Sequence, residues 1–218
     1  MPADWAMTQN NIGNALTSLG ERAGGAEGLS FLKDAVAAYQ AALRVRTEGD
    51  MPTGWANTQT NLGNALSLLG IHARSADGPG HLANGVAAHK AALKIRTEAD
   101  MPYDWAKTQH NLGCTLHNLG WRIGGADGRL HFKEATNAFE AALRVRSEID
   151  TPFDWAATQT SLGNTFLFLG KRTGSLNGIS YLNNSVAAYE AALRVFTESE
   201  TQFYWKHTKG NLERARRS

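Results

Sequence analysis

Reading from the first residue, Trp5, Ala6, Ile12, Gly13, Leu16 and Leu19 are apolar or small and recur at the spacing of one helical face, with mostly polar residues between them. The same arrangement returns from Trp55, Trp105 and Trp155 in unbroken register, each time as Trp-Ala-x-Thr-Gln, which sets a repeat of 50 residues. A second apolar pattern, Ala37-Ala38-Tyr39 followed by Ala41-Ala42-Leu43, comes back from Ala87, Asn137 and Ala187. Each unit therefore predicts two helices. Neither can bury its apolar stripe alone, so the units must stack, and at least three are needed for a continuous core. The expected fold is all-α: one repeat domain over residues 1–218, with units 1–50, 51–100, 101–150 and 151–200 and a capping helix over 201–218.

Pro2, Pro52, Pro102 and Pro152 predict where the first helices begin, because a proline there loses an N–H that has no intrahelical acceptor anyway. Asp4, Asp104 and Asp154 then sit at the positive end of the helix dipole. Gly20, Gly70, Gly120 and Gly170 are read as the weakening or end of that helix. The second helix is expected from about Leu32 to Thr47, with Val36, Tyr39, Leu43 and Val45 inward and Arg44 and Glu48 outward. The connector before it predicts an extra turn of helix, a glycine cap and a turn at Glu27-Gly28, Asp77-Gly78, Asp127-Gly128 and Asn177-Gly178. Its Gly24, Gly25 and Gly28 lack the lysine and hydroxyl residue of a phosphate-binding loop, so the connector is read as structural. The recurring tryptophans from Trp5 to Trp205 are assigned to the core.

Ile12, Gly13, Leu16, Ala35, Tyr39 and Ala42 follow the Leu-Gly, aromatic and Ala order of the tetratricopeptide repeat, and the chain resembles that family over nearly its whole length. The resemblance implies a right-handed α-α superhelix whose first helices line a concave groove, and a scaffold that binds a peptide or helix of a partner protein there. The unit departs in length, with 50 residues against about 34 in the family. The extra residues fall between the two helices, from Gly20 to Leu29, and between units. The second insertion is similar to the kinesin light chain variety, whose helices also end in Ala-Leu-x-Ile/Val-Arg and restart after proline. The first insertion has no counterpart there.

Composition adds little. Lysine plus arginine total 22 against 20 acidic residues, so no field favours nucleic acid or an anionic membrane. No apolar run is long enough to span a bilayer, and no leader precedes Trp5, so a cytoplasmic protein is expected. The single cysteine, Cys114, excludes an intramolecular disulfide.

The candidate groove stripe has two asparagine columns. Asn14, Asn64 and Asn164 share one, with Cys114 in the third unit, and Asn11, Asn61 and Asn111 share the other. An amide both donates and accepts, so such a ladder can pair with the backbone of an extended peptide or, alternatively, tie adjacent units together. In the resembled family the first role is the one implied. Since a few hydrogen bonds at about 1 kcal/mol each give only roughly millimolar affinity, anchors must supply the rest. His117, Trp121 and Phe168 are the candidates, because they depart from the equivalent positions of the other units.

His110, Cys114 and His117 fall at helical spacing and are the one cluster with metal-ligand chemistry. Their outer members are separated by about 10 Å of helical rise, and no fourth ligand is evident, so no metal, cofactor or catalytic role is expected. The lysines and arginines of 203–217 are read as the solvated face of a cap. Met1 shares the column of Met51 and Met101, consistent with an array that starts partway through a longer one. An uncapped first unit leaves apolar surface open, which makes self-association the alternative function.

Overall fold

The computed structural model describes residues 1–73, 75–173 and 176–218, and among these it is all-helical. The helices are α1 (Pro2–Ala23), α2 (Gly25–Leu43), α3 (Pro52–His72), α4 (Gly78–Ala92), α5 (Pro102–Ile123), α6 (Gly125–Leu143), α7 (Pro152–Arg172), α8 (Leu176–Leu193) and α9 (Gln202–Arg216). Consecutive helices pack in pairs, α1 on α2 through α7 on α8, and each second helix also packs on the first helix of the next unit. First helices pack on the first helices of neighbouring units, whereas the backbones of the second helices lie farther apart, with Lys90 of α4 reaching Glu134 of α6 at 3.6 Å across the surface. None of these helices is long and apolar enough to cross a membrane.

The starts of the first helices are where proline placed them, with Asp4, Asp104 and Asp154 in the first turn. The ends differ. Gly20 and Gly120 lie inside α1 and α5, which run on to Ala23 and Ile123. The reason is a close crossing: a Cβ on Gly28 would lie 2.6 Å from the Gly20 carbonyl oxygen, and one on Gly128 would lie 2.5 Å from that of Gly120. These glycines let two backbones touch. The second helix also begins earlier than expected, at Gly25 and Gly125, directly after Gly24 and Gly124, whose φ of 60° and 70° reverses the chain in one residue. The expected turns at Glu27-Gly28 and Asp127-Gly128 are accordingly the first turns of α2 and α6, and Asn177-Gly178 lies within α8. In the second unit Asp77 is the residue before α4, so there the turn survives.

Tyr39, Phe139 and Tyr189 are fully buried against the glycines of the facing first helix, Gly13, Gly113 and Gly163. The largest core cluster runs from Leu82 to Leu169 and includes Leu116, Phe132 and Phe139. The tryptophan assignment holds in part. Trp105 and Trp155 are 7% and 9% exposed, packed on alanines of their own second helix with Arg144 and Arg194 over their rings. Trp5, by contrast, is 45% exposed.

Between units the chain turns through Thr47 and Asp50, whose side chain and backbone N–H both bond the threonine hydroxyl, and Thr97 with Asp100 and Ser147 with Asp150 repeat the turn. Just before it stands an arginine that the sequence left unassigned. Arg96 and Arg146 are buried in the junction and donate to the hydroxyls of Thr108 and Thr158 on the next first helix. Arg46 does the same to Thr58. In the fourth unit Phe196 takes this place and stacks on Tyr204 of α9.

Candidate functional site

The asparagine columns separate once their partners are known. Tyr39 donates its hydroxyl to Asn14 Oδ1 at 2.8 Å, and Tyr189 donates to Asn164 Oδ1 at 2.7 Å. Asn164 Oδ1 also accepts from Asn211 Nδ2 at 2.9 Å. In these two units the column ties the hairpin together. Where the facing aromatic has no hydroxyl, the asparagine is absent or free: Phe139 faces Cys114 and His110, and His89 faces the unit of Asn64. Asn64 has no side-chain bond among the described residues and lines two adjoining cavities. In the other column Asn61 Nδ2 donates to Asn10 Oδ1 at 3.2 Å, bridging units one and two, while Asn111 lines the central cavity and Asn11 is exposed.

Three cavities follow the first helices and share residues at their borders. The first, about 380 Å³, is polar and lies among Asn10, Arg46, Asn57, Asn61, Arg96 and Lys107, with Asp104 as its one carboxylate. Asn64 joins it to a central cavity of about 410 Å³ bounded by Thr17, Ser67, Asn111 and Cys114. Ile71 and Asn118 join that in turn to an apolar pocket of about 300 Å³ walled by His117, Trp121, Arg122 and Phe168. The structure thus brings His117, Trp121 and Phe168 together, and leaves Asn11, Asn14 and Asn164 outside all three cavities.

The apolar pocket is held rigid from below. The His117 ring meets Phe168 edge-on at 5.3 Å and Phe132 at 5.2 Å, and its Nδ1 is 2.9 Å from Thr165 Oγ1. Phe132 stacks on Phe168 at 5.7 Å, and the Arg172 guanidinium lies over both rings. Trp121 forms the rim, 54% exposed, beside Ile71 at 41%. Burial, aided by Arg172, pulls the His117 pKa down to about 4, so at neutral pH the ring is an uncharged wall.

His110, Cys114 and His117 do not come together as one unit. His110 Nε2 is 3.6 Å from Cys114 Sγ and its Nδ1 is 3.1 Å from Thr158 Oγ1, whereas His117 turns to Thr165 and the phenylalanines. Among the described residues no group of three His, Cys, Asp or Glu side chains is placed to hold a metal ion. Burial pushes the Cys114 thiol up to about 11, and burial with Arg146 nearby pulls His110 down to about 3. A thiol so far from ionising is a poor nucleophile.

The cationic end of the groove was not legible as a site. Arg46, Arg96 and Asn57 are assembled from three different elements, and the signal was the recurrence of arginine immediately before the turn, followed by its replacement with Phe196. Arg96 donates to Thr60, Thr108 and Asn57, and its nearest carboxylate, Asp104, is 4.0 Å away. Desolvation makes this guanidinium costlier to keep charged, with Asp104 opposing that effect. No protein-family model matches the chain, and no curated protein matches it in sequence.

Proposed function

We propose that the chain is a protein-interaction scaffold of tetratricopeptide-like architecture that holds a partner's peptide or helix along its first helices. The closer approach of the first helices to one another than of the second helices supports a superhelix with the first helices on the inner side. The observation that carries the reading is the continuity of the three cavities, joined through Asn64, Ile71 and Asn118. Such a track has a polar, net cationic end for a carboxylate, a free amide at its centre for a peptide backbone, and an apolar pocket for one large side chain. An exposed tryptophan on a rigid aromatic base has the composition of an interface anchor.

Selection of peptides from a random displayed library on the immobilised chain tests this. The expected ligands carry an acidic residue and a bulky apolar residue a few positions apart. Trp121→Ala lowers their affinity by roughly tenfold or more, and Asn64→Ala lowers it by a smaller factor, since the amide contributes about 1 kcal/mol. Asn164→Ala leaves it unchanged. No enrichment, or ligands indifferent to Trp121→Ala, would remove the groove assignment.

A further inference from the structure

The polar cavity of the groove holds more positive charge than its own residues balance. Arg46, Arg96 and Lys107 line it, and Asp104 is its one carboxylate, which leaves a net charge of +2. Arg96 is the costly member. Its side chain is 7% exposed, its hydrogen bonds go to the neutral groups of Thr60, Thr108 and Asn57, and the carboxylate of Asp104, 57% exposed, stands 4.0 Å away. Burying a guanidinium this far without a close counter-charge is unfavourable. Among the described residues Arg46 and Lys107 form no ion pair at all.

Stacking of the units does not require this arrangement. At the third junction Arg146 is buried against Thr158, Ala157 stands where the unit before has Lys107, and His110, in the place of Thr60, lies 3.1 Å from the Thr158 hydroxyl. The first unit likewise has Met7 at the position of Asn57 and Lys107. The junction arginine thus serves the fold, whereas the amide and the ammonium beside it are particular to the second and third units. Their donors are largely unspent. Arg46 donates to Thr58 and the Gly54 carbonyl through one terminal nitrogen and keeps the other. Asn57 accepts from Arg96 through its oxygen, so its NH2 group stays available, and Lys107 adds three N–H donors. A cavity rich in donors and short of acceptors suits an oxyanion.

We infer that this cavity receives the phosphoryl group of a phosphorylated serine or threonine in the partner segment, an inference that rests on the groove reading above. A phosphate monoester carries about −1.5 to −2 charges at pH 7 and three strong acceptor oxygens. It therefore balances the cavity, where a carboxylate would neutralise only half of the excess. The polar walls disfavour the ring of a phosphotyrosine. A volume of about 380 Å³ admits the ester with its flanking backbone, which then meets the free amide of Asn64 on the border of the central cavity. The phosphorylated residue enters at one end of the track and the apolar anchor at the other, so modification of the partner strengthens its attachment.

The test titrates the isotope-labelled full chain in turn with N-acetyl-phosphoserine methylamide, N-acetyl-glutamate methylamide and inorganic phosphate, and follows backbone amide shifts by NMR. Saturable shifts are expected around Asn57 and Lys107. The phosphoserine probe binds roughly tenfold more tightly than the glutamate probe, the scale of one further charge-assisted hydrogen bond. It also binds more tightly than inorganic phosphate, and Asn64→Ala removes that margin. Lys107→Ala, a change at an exposed side chain, weakens phosphoserine binding by roughly tenfold on the same ground, whereas Asp104→Asn strengthens it. Trp121→Ala has no effect, since the probe carries no apolar side chain for that pocket. No saturation, equal binding of the glutamate probe, or indifference to Lys107→Ala would overturn the inference, while the groove reading would still stand or fall on its Trp121-dependent peptides. Inorganic phosphate bound as tightly as phosphoserine would overturn it too, because a free anion would then be the occupant.

Discussion

His89 stands where Tyr39, Phe139 and Tyr189 stand in the other units, with its ring against Gly63. It is fully buried, and among the described residues neither ring nitrogen has a hydrogen-bond partner. Burial, with Arg96 adding to it, lowers its pKa from 6.5 to about 4. The folded chain thus resists a proton that the unfolded chain accepts, so stability is complete above pH 6.5 and falls as the pH drops toward 4. The full loss attributable to this ring is about 3 kcal/mol. His110 and His117 are depressed in the same direction and steepen the same window. His89→Phe copies the Phe139 arrangement and removes one ring from this balance. Thermal melts should show it stabilising the chain by about 2 kcal/mol more at pH 5 than at pH 7.5, and equal gains at the two pH values would contradict the account.

At the scale of helices, glycine does two opposite things in this chain. A Cβ on Gly128 would meet the Gly120 carbonyl at 2.5 Å, and a backbone atom cannot rotate aside. Gly128→Ala should force α5 and α6 apart at a cost of roughly 1–3 kcal/mol, the range for an overpacked contact. Gly210, inside α9, faces open space, so Gly210→Ala should stabilise by about 0.5–1 kcal/mol through backbone entropy alone. Urea midpoints moving in opposite directions check the pair. The same contrast shows what the sequence can reveal. Period, proline starts and buried aromatics were legible because each follows from a local pattern. Gly20 read as the weakening or end of a helix, and Glu27-Gly28 as a turn, because a glycine that permits contact looks identical to one that breaks a helix. The asparagine column was ambiguous for a related reason: only the partner across the hairpin, Tyr39 or Tyr189 against His89, decides which amide is free. Arg96 and Arg146 went unassigned because burial of a guanidinium among hydroxyls requires three elements to meet.

Across the whole array, stability should be highest in the middle and lowest at α1. Each helix gains mainly from its immediate neighbours, so a stacked array behaves as a row of coupled units rather than one indivisible core. Helices α3, α5 and α7 are covered on both sides, and the largest core cluster joins α4 through α7. Helix α1 is covered by α2 and α3 only, and its buried residues are small: Ala6, Asn10, Gly13 and Gly20. Helix α9 is short but retains buried Leu212 and Ala215 and presents Glu213, Arg216 and Arg217 to solvent, so it closes its end as α1 does not. Hydrogen exchange should therefore find the least protected amides in α1, intermediate ones in α8 and α9, and the most protected in α5 and α6. Uniform protection would mean a single cooperative unit and would contradict neighbour-only coupling. The aromatic pocket of the proposed groove is built on α3, α5 and α7, in the stretch that opens least, so it is formed before a ligand arrives, whereas Asn10 and Thr17 of the other two cavities stand on α1.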